Sequence, residues 1–156
     1  MHSKYTHLNK IIMKLLVAID FSPATEKILN SVKSLVCKQD SKIWLLHVAM
    51  PDPDFVGYGV GPDTEREFVA KRFKEEHKKL HDMADDMEKE GIDVTPLLVQ
   101  GATVETILEK ADELKVDAII TGSHGRGAMY NFLVGSVSEG LLHKTKIPLV
   151  VIPAKE

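Results

Sequence analysis

Cysteine is almost missing from this chain: Cys37 stands alone among 156 residues. One thiol excludes an intrachain disulfide and any multi-cysteine metal site. Its neighbours Leu35 and Val36 favour a small buried hydrophobe over a reactive thiol. Also missing is any apolar run near the roughly 20 residues that span a bilayer. The stretch from Ile11 to Ile19 is broken by Lys14 and lacks a small-residue cleavage site, so it fails as a signal peptide and the chain is expected in the cytoplasm. Positive charge is not in excess. A formal net charge of -3 gives no general attraction to nucleic acid or to an anionic membrane. The pattern G-x-x-x-x-G-K-[ST] is absent, which argues against a P-loop nucleotidase.

The composition that remains, 44% hydrophobic and 28% charged, is that of a globular chain able to close one core. No internal repeat or second domain is visible. Residues 1–12 read as a flexible polar N-terminal extension, either native or a mis-assigned start, since Met13 begins MKLLVAID, and 13–156 as one domain.

Short apolar runs alternate with amphipathic stretches. Lys14 to Asp20 (KLLVAID) is a strand, and Ser22 then suits a helix N-cap with Pro23 at the first helical position. Ile28, Val32, Leu35 and Val36 recur at helical spacing as that helix's buried stripe. Ile43 to Val48 (IWLLHV) is the second strand, and Ala49 to Asp63, rich in proline and glycine, is a long surface loop or lid. Thr64 to Glu90 is highly charged, yet Val69, Phe73, Leu80, Ala84 and Met87 share one helical face, and Gly91 ends the helix. Asp93 to Val99 is a third strand, and Val104 to Leu114 a third helix. Asp117 to Thr121 is the fourth strand. A helix with Val137, Leu141 and Leu142 then leads to a last strand, Ile147 to Ile152.

Strands that read as continuous apolar runs between helices predict an α/β fold: a single open five-stranded parallel sheet with helices on both faces. Right-handed crossovers leave few topologies, and the order 3-2-1-4-5 is expected. That order reverses between the first and fourth strands, whose carboxyl ends flank the crevice where open α/β sheets bind ligands. Asp20 ends one of these strands, and Thr121-Gly122 ends the other.

At that crevice stands Gly122-Ser-His-Gly125-Arg-Gly127, and Gly135-Ser136 opens the next helix, giving the spacing G-x2-G-x9-G-S. Backbone that must approach a phosphate closely needs residues without Cβ. Free amides at a helix start, with the helix dipole behind them, attract an anion. Ser136 and Ser138 add hydroxyls. The same residues have a structural reading, because Ser136-Val-Ser-Glu139 also fits a capping box.

In these features the sequence resembles the universal stress protein (UspA-like) family, specifically its ATP-binding branch. The likeness runs from Lys14 to Pro153 and is most specific in DAIITGSHGRGAMYNFLVGSVSEGLLHKTKIPLVVIP. Ala18 and Thr103 depart from it, standing where relatives often carry proline. The resemblance implies a Rossmann-like fold of the adenine nucleotide alpha hydrolase type. It implies that Asp20 contacts ATP or its metal, Mg²⁺ or Mn²⁺, and that Val48 lies against the adenine and recognises it through its backbone. It further implies that Gly122, His124, Gly125, Arg126, Gly135, Ser136, Val137 and Ser138 surround phosphates and ribose, and that the strand Ile147 to Ile152 forms a homodimer. An apolar edge strand left bare invites uncontrolled pairing.

Other residues have plainer readings. Asp20 could help cap the helix begun at Ser22. His77 and His81 lie one helical turn apart, but without a third ligand core packing is the stronger reading. Three functions follow in order: a nucleotide-dependent regulatory module with an unidentified protein partner, a slow ATP hydrolase or nucleotidyl transferase, and a dimeric scaffold without nucleotide. The enzyme reading would use Asp20 as metal ligand, Arg126 to stabilise charge and His124 as its sole candidate base in the loop.

Overall fold

The computed structural model describes residues 12–36, 40–50, 63–123 and 134–153, the side chains of 63–66 aside. Its elements run β1 (Met13–Ile19), α1 (Ala24–Leu35), β2 (Ser41–Ala49), α2 (Asp63–Lys89), β3 (Asp93–Gln100), α3 (Thr103–Glu113), β4 (Ala118–Gly122), α4 (Ser136–Lys144) and β5 (Leu149–Ile152). The strands form one sheet of order β3-β2-β1-β4-β5, and each neighbouring pair is parallel. The expected topology is the one observed.

Alternation along the strands divides the core in two. Leu15, Val17 and Ile19 of β1, Ile43 and Leu45 of β2 and Ile120 of β4 pack with Ile28, Leu29 and Val32 of α1 and Leu80, Ala84 and Met87 of α2. Leu16 and Ala18, Leu46 and Val48, and Ile119 point the other way, against Ile107 and Ala111 of α3 and Leu141 of α4. Leu16, Val17, Ile43, Leu45, Leu46 and Ile119 are wholly enclosed, so the central strands are covered on both faces. At the amino end of the switch point, the Lys14 amide donates to Asp117 Oδ2 at 2.7 Å, and the Asp117 amide donates to the Lys14 carbonyl at 2.7 Å. These two bonds hold β1 and β4 together below the point where the winding reverses.

Three expectations about local structure change. Ser22 does not cap α1: the helix begins at Ala24 with Pro23 before it, no side chain caps it, and the Ser22 hydroxyl is buried without a hydrogen-bond partner among the described residues. The chain instead turns at Phe21, whose φ of 57° is left-handed. Leu35 is 65% exposed, because it is the last residue of α1 and the chain then extends at Val36 (ψ 143°), which packs against the core in its place. His77 and His81 are exposed, with ring centroids 4.3 Å apart. The buried stripe of α2 runs through Leu80, Ala84 and Met87, one position off the histidines, and Phe73 is likewise left 38% exposed. Gly91 does end α2, at φ 87°, and its amide returns to the Glu88 carbonyl at 2.8 Å. Cys37 and most of the 49–63 loop lie outside the described residues.

On the second face, α3 and α4 approach closely at Gly140. A Cβ there would lie 2.9 Å from Val104 Cγ2, a branched group with little freedom to move. The Lys144 ammonium meets Glu105 Oε1 at 2.6 Å across the same pair and holds that carboxyl below its usual range. This exposed tie is present at neutral pH and is lost on acidification as Glu105 protonates; its stabilisation is small. Substituting alanine for glycine inside a helix ordinarily stabilises by about 1 kcal/mol. We expect Gly140→Ala instead to destabilise by about 1 kcal/mol through the forced contact, and to become stabilising in a Val104→Ala background. Urea unfolding of the four proteins of this cycle measures the coupling, and equal effects in both backgrounds would contradict it.

Candidate functional site

The carboxyl ends of β1, β2 and β4 converge at the switch point, and each carries residues singled out above. At the end of β1, Asp20 Oδ1 accepts the Ser22 amide at 3.0 Å. This is an Asx turn, the means by which a short carboxylate redirects its own chain. It begins a tight passage through left-handed Phe21 into α1. The structural role weighed for Asp20 is therefore real, though exercised on Ser22 and not on the helix itself.

The β4 end is fastened at three points. The Ser123 amide donates to the Ile152 carbonyl at the end of β5 at 2.8 Å, and the Gly135 amide donates to the Ser123 carbonyl at 2.5 Å. Ser138, 2% exposed, donates its hydroxyl to the Gly122 carbonyl at 2.6 Å. Ser123 and Gly135 are thus held directly together. Gly135 is the N-cap of α4, in an extended conformation (φ -77°, ψ 163°), with no side-chain cap. The capping box therefore does not form: Ser136 is already helical, one position too late to cap. The amides of Ser136, Val137 and Ser138 belong to the first turn, where helix geometry supplies no backbone acceptor.

Val48, 9% exposed and level with Val99 of β3, packs in the same cluster as Ala18 and Val137. Asp20, Val48, Gly122, Gly135, Ser136, Val137 and Ser138 therefore gather at the strand ends and at the start of α4. His124, Gly125 and Arg126 lie outside the described residues. Among the described residues, no three His, Cys, Asp or Glu side chains cluster to hold a metal. A single carboxylate fits a divalent cation that arrives with phosphate oxygens as its other ligands. The sequence offered no sign of the Ser138 bond, since its acceptor is a carbonyl 16 residues away.

The profile of the universal stress protein family matches residues 12–153. This chain belongs to that family. It is 29% identical over 154 residues to universal stress protein MJ0577 of Methanocaldococcus jannaschii, covering 91% of this chain and 95% of that one. The solved structure of MJ0577 has a TM-score of 0.80 at 29% identity, over 94% of this chain and 99% of the other. Two further solved structures share the fold at 18% identity. One is a universal stress protein in complex with cAMP (TM-score 0.63; 93% of this chain, 99% of that one). The other is a universal stress protein family member from Arabidopsis thaliana with AMP bound (TM-score 0.65; 90% and 91%). Among the described residues of this universal stress protein, no helix is long and apolar enough to cross a membrane.

The Ser138 bond gives a direct check on the geometry. Ser138→Ala leaves a buried carbonyl without its partner, and we expect it to destabilise the nucleotide-free protein by about 1–2 kcal/mol. Denaturant unfolding without ligand measures this. A hydroxyl serving a ligand alone would leave that stability unchanged.

Proposed function

We propose that this universal stress protein binds ATP in the crevice between β1 and β4 and acts as a nucleotide-dependent regulatory module. The observation that carries this reading is the meeting of apolar residues, a carboxylate and a helix start at one switch point. Ala18, Val48 and Val137 offer a surface for the adenine. The first-turn amides of α4, backed by the helix dipole, suit phosphate. The glycine spacing of the 122–136 segment suits a backbone that closes on phosphate, with His124, Gly125 and Arg126 contributed by it. Asp20 would hold Mg²⁺ or Mn²⁺ together with phosphate oxygens; the ion's chemistry is to neutralise the triphosphate and fix its orientation. Two relatives of the same fold carry AMP or cAMP, which supports an adenine nucleotide as the ligand class.

The protein also acts as a homodimer in this reading. β5 is an edge strand with no charged residue, and Val151 on it is 36% exposed. Leu142 of the adjoining α4 is 63% exposed. Such an edge requires cover or a partner. A second copy of the same strand supplies both hydrogen bonds and apolar surface.

Denaturing the purified protein and identifying any released small molecule tests the ligand, with ATP the expected product. Asp20→Asn keeps an oxygen for the Ser22 amide but removes the charge. We expect it to weaken MgATP binding about 10-fold while leaving thermal stability without ligand nearly unchanged. Calorimetric titration reads the affinity, and wild-type affinity in this variant would remove Asp20 from the site. For the dimer, Val151→Lys is expected to shift sedimentation velocity from a dimer to a monomer, and a monomeric wild type would rule the interface out.

A further inference from the structure

Near its carboxyl end the second strand carries a buried polar side chain that nucleotide binding leaves unused. His47 is 8% exposed in an otherwise apolar stretch of β2, and it points to the face opposite Val48. Its Nδ1 lies 2.9 Å from the carbonyl oxygen of Ile19, the last residue of β1. A carbonyl has no proton to give, so Nδ1 is the donor. The ring meets Phe21 at a centroid distance of 4.3 Å and an angle of 42°. Glu76 of α2 closes the far side, with Oε2 3.9 Å from Nε2. That oxygen is buried and has no hydrogen-bond partner among the described residues.

The imidazole therefore touches the residues on both sides of Asp20. It grips the Ile19 carbonyl immediately before and braces the Phe21 ring immediately after. Phe21 needs bracing, since a left-handed φ of 57° is unfavourable for a bulky side chain and persists only where the surroundings enforce it. A leucine would fill the same core volume, and neither β-strand pairing nor burial calls for a polar ring there.

We propose that His47 is a positioning residue that sets the Asp20–Ser22 turn and so aims the Asp20 carboxylate into the crevice. Its effect on ligand rests on the ATP-binding reading above; its effect on the turn does not. The same ring also lies beside Glu76 of α2.

The test compares wild type with His47→Leu and His47→Asn, the asparagine amide lying close to the position of Nδ1. Amide exchange by NMR without nucleotide reads the turn at the Ser22 amide, which is bonded to Asp20, with the Val17 amide as the control for the sheet. In His47→Leu the Ser22 amide is expected to exchange about 10-fold faster while Val17 is unmoved, and His47→Asn restores it to within about threefold. An unmoved Ser22 amide in His47→Leu overturns the proposal, as does an equal acceleration at Ser22 and Val17 in both variants. Should His47→Leu not fold, His47→Asn decides, by keeping the Ser22 protection or losing it. Calorimetric titration with MgATP should show about a 10-fold loss for leucine and near-wild-type affinity for asparagine. A loosened turn with unchanged affinity overturns the link to ligand. No binding by the wild type overturns the nucleotide reading instead, with the exchange result standing by itself.

Discussion

The reversal of winding between β1 and β4 is the constraint on which the rest of this molecule depends. Strands to one side of it send their connecting helices over one face, and those to the other side send theirs over the opposite face. The two segments leaving the carboxyl ends at this point therefore diverge. Asp20 turns towards α1 and the first core, whereas Ser123 leads to the α4 side and the second. Each exit is held by its own bond: Asp20 Oδ1 takes the Ser22 amide, and Ser138 donates to the Gly122 carbonyl. A switch point fixed on both sides follows from topology and a few short polar contacts.

Much of the fold was legible because it rests on local alternation and breaks. Continuous apolar runs such as KLLVAID and IWLLHV state burial on both faces, and that pattern with intervening helices implies a parallel sheet. The position of the crevice followed from strand order alone. The bonds that shape it were not legible, because their partners are far apart in sequence. Ser138 and Gly122 are 16 residues apart, and His47 and Ile19 are 28 apart. Where sequence rules misled, a second option of similar quality was present. Ser22 is a good N-cap residue, yet Asp20 two positions earlier engages its amide. His77 fits an apolar stripe through Phe73, but the packed stripe is the one through Leu80, Ala84 and Met87, which seats the carboxyl-terminal half of α2 against the core.

The two faces of the sheet do different work at the same edge. On the α3 and α4 side, Ala18, Val48 and Val137 belong to the second core cluster and carry no hydrogen-bonding side chain. On the α1 and α2 side, at the position next to Val48, the strand presents His47. Period-two alternation makes this division unavoidable: two consecutive residues near the end of β2 must face opposite layers. One of them packs in the second core while the other reaches the backbone of β1.

Asp20 sits on the line where these layers meet, and this explains why its geometry is supported from more than one direction. A carboxylate that must meet a metal or a phosphate-bound cation is useful only if its orientation is fixed before the ligand arrives, since ordering it on binding would subtract from affinity. The Ser22 amide fixes one oxygen, and Ile19 and Phe21 on either side are held by a ring buried in the first core. A turn built only from exposed backbone would have neither restraint. The polar residue inside an apolar strand is thus best understood through the residue that lies between two of its contacts. It acts on Asp20 by fixing Asp20's two neighbours.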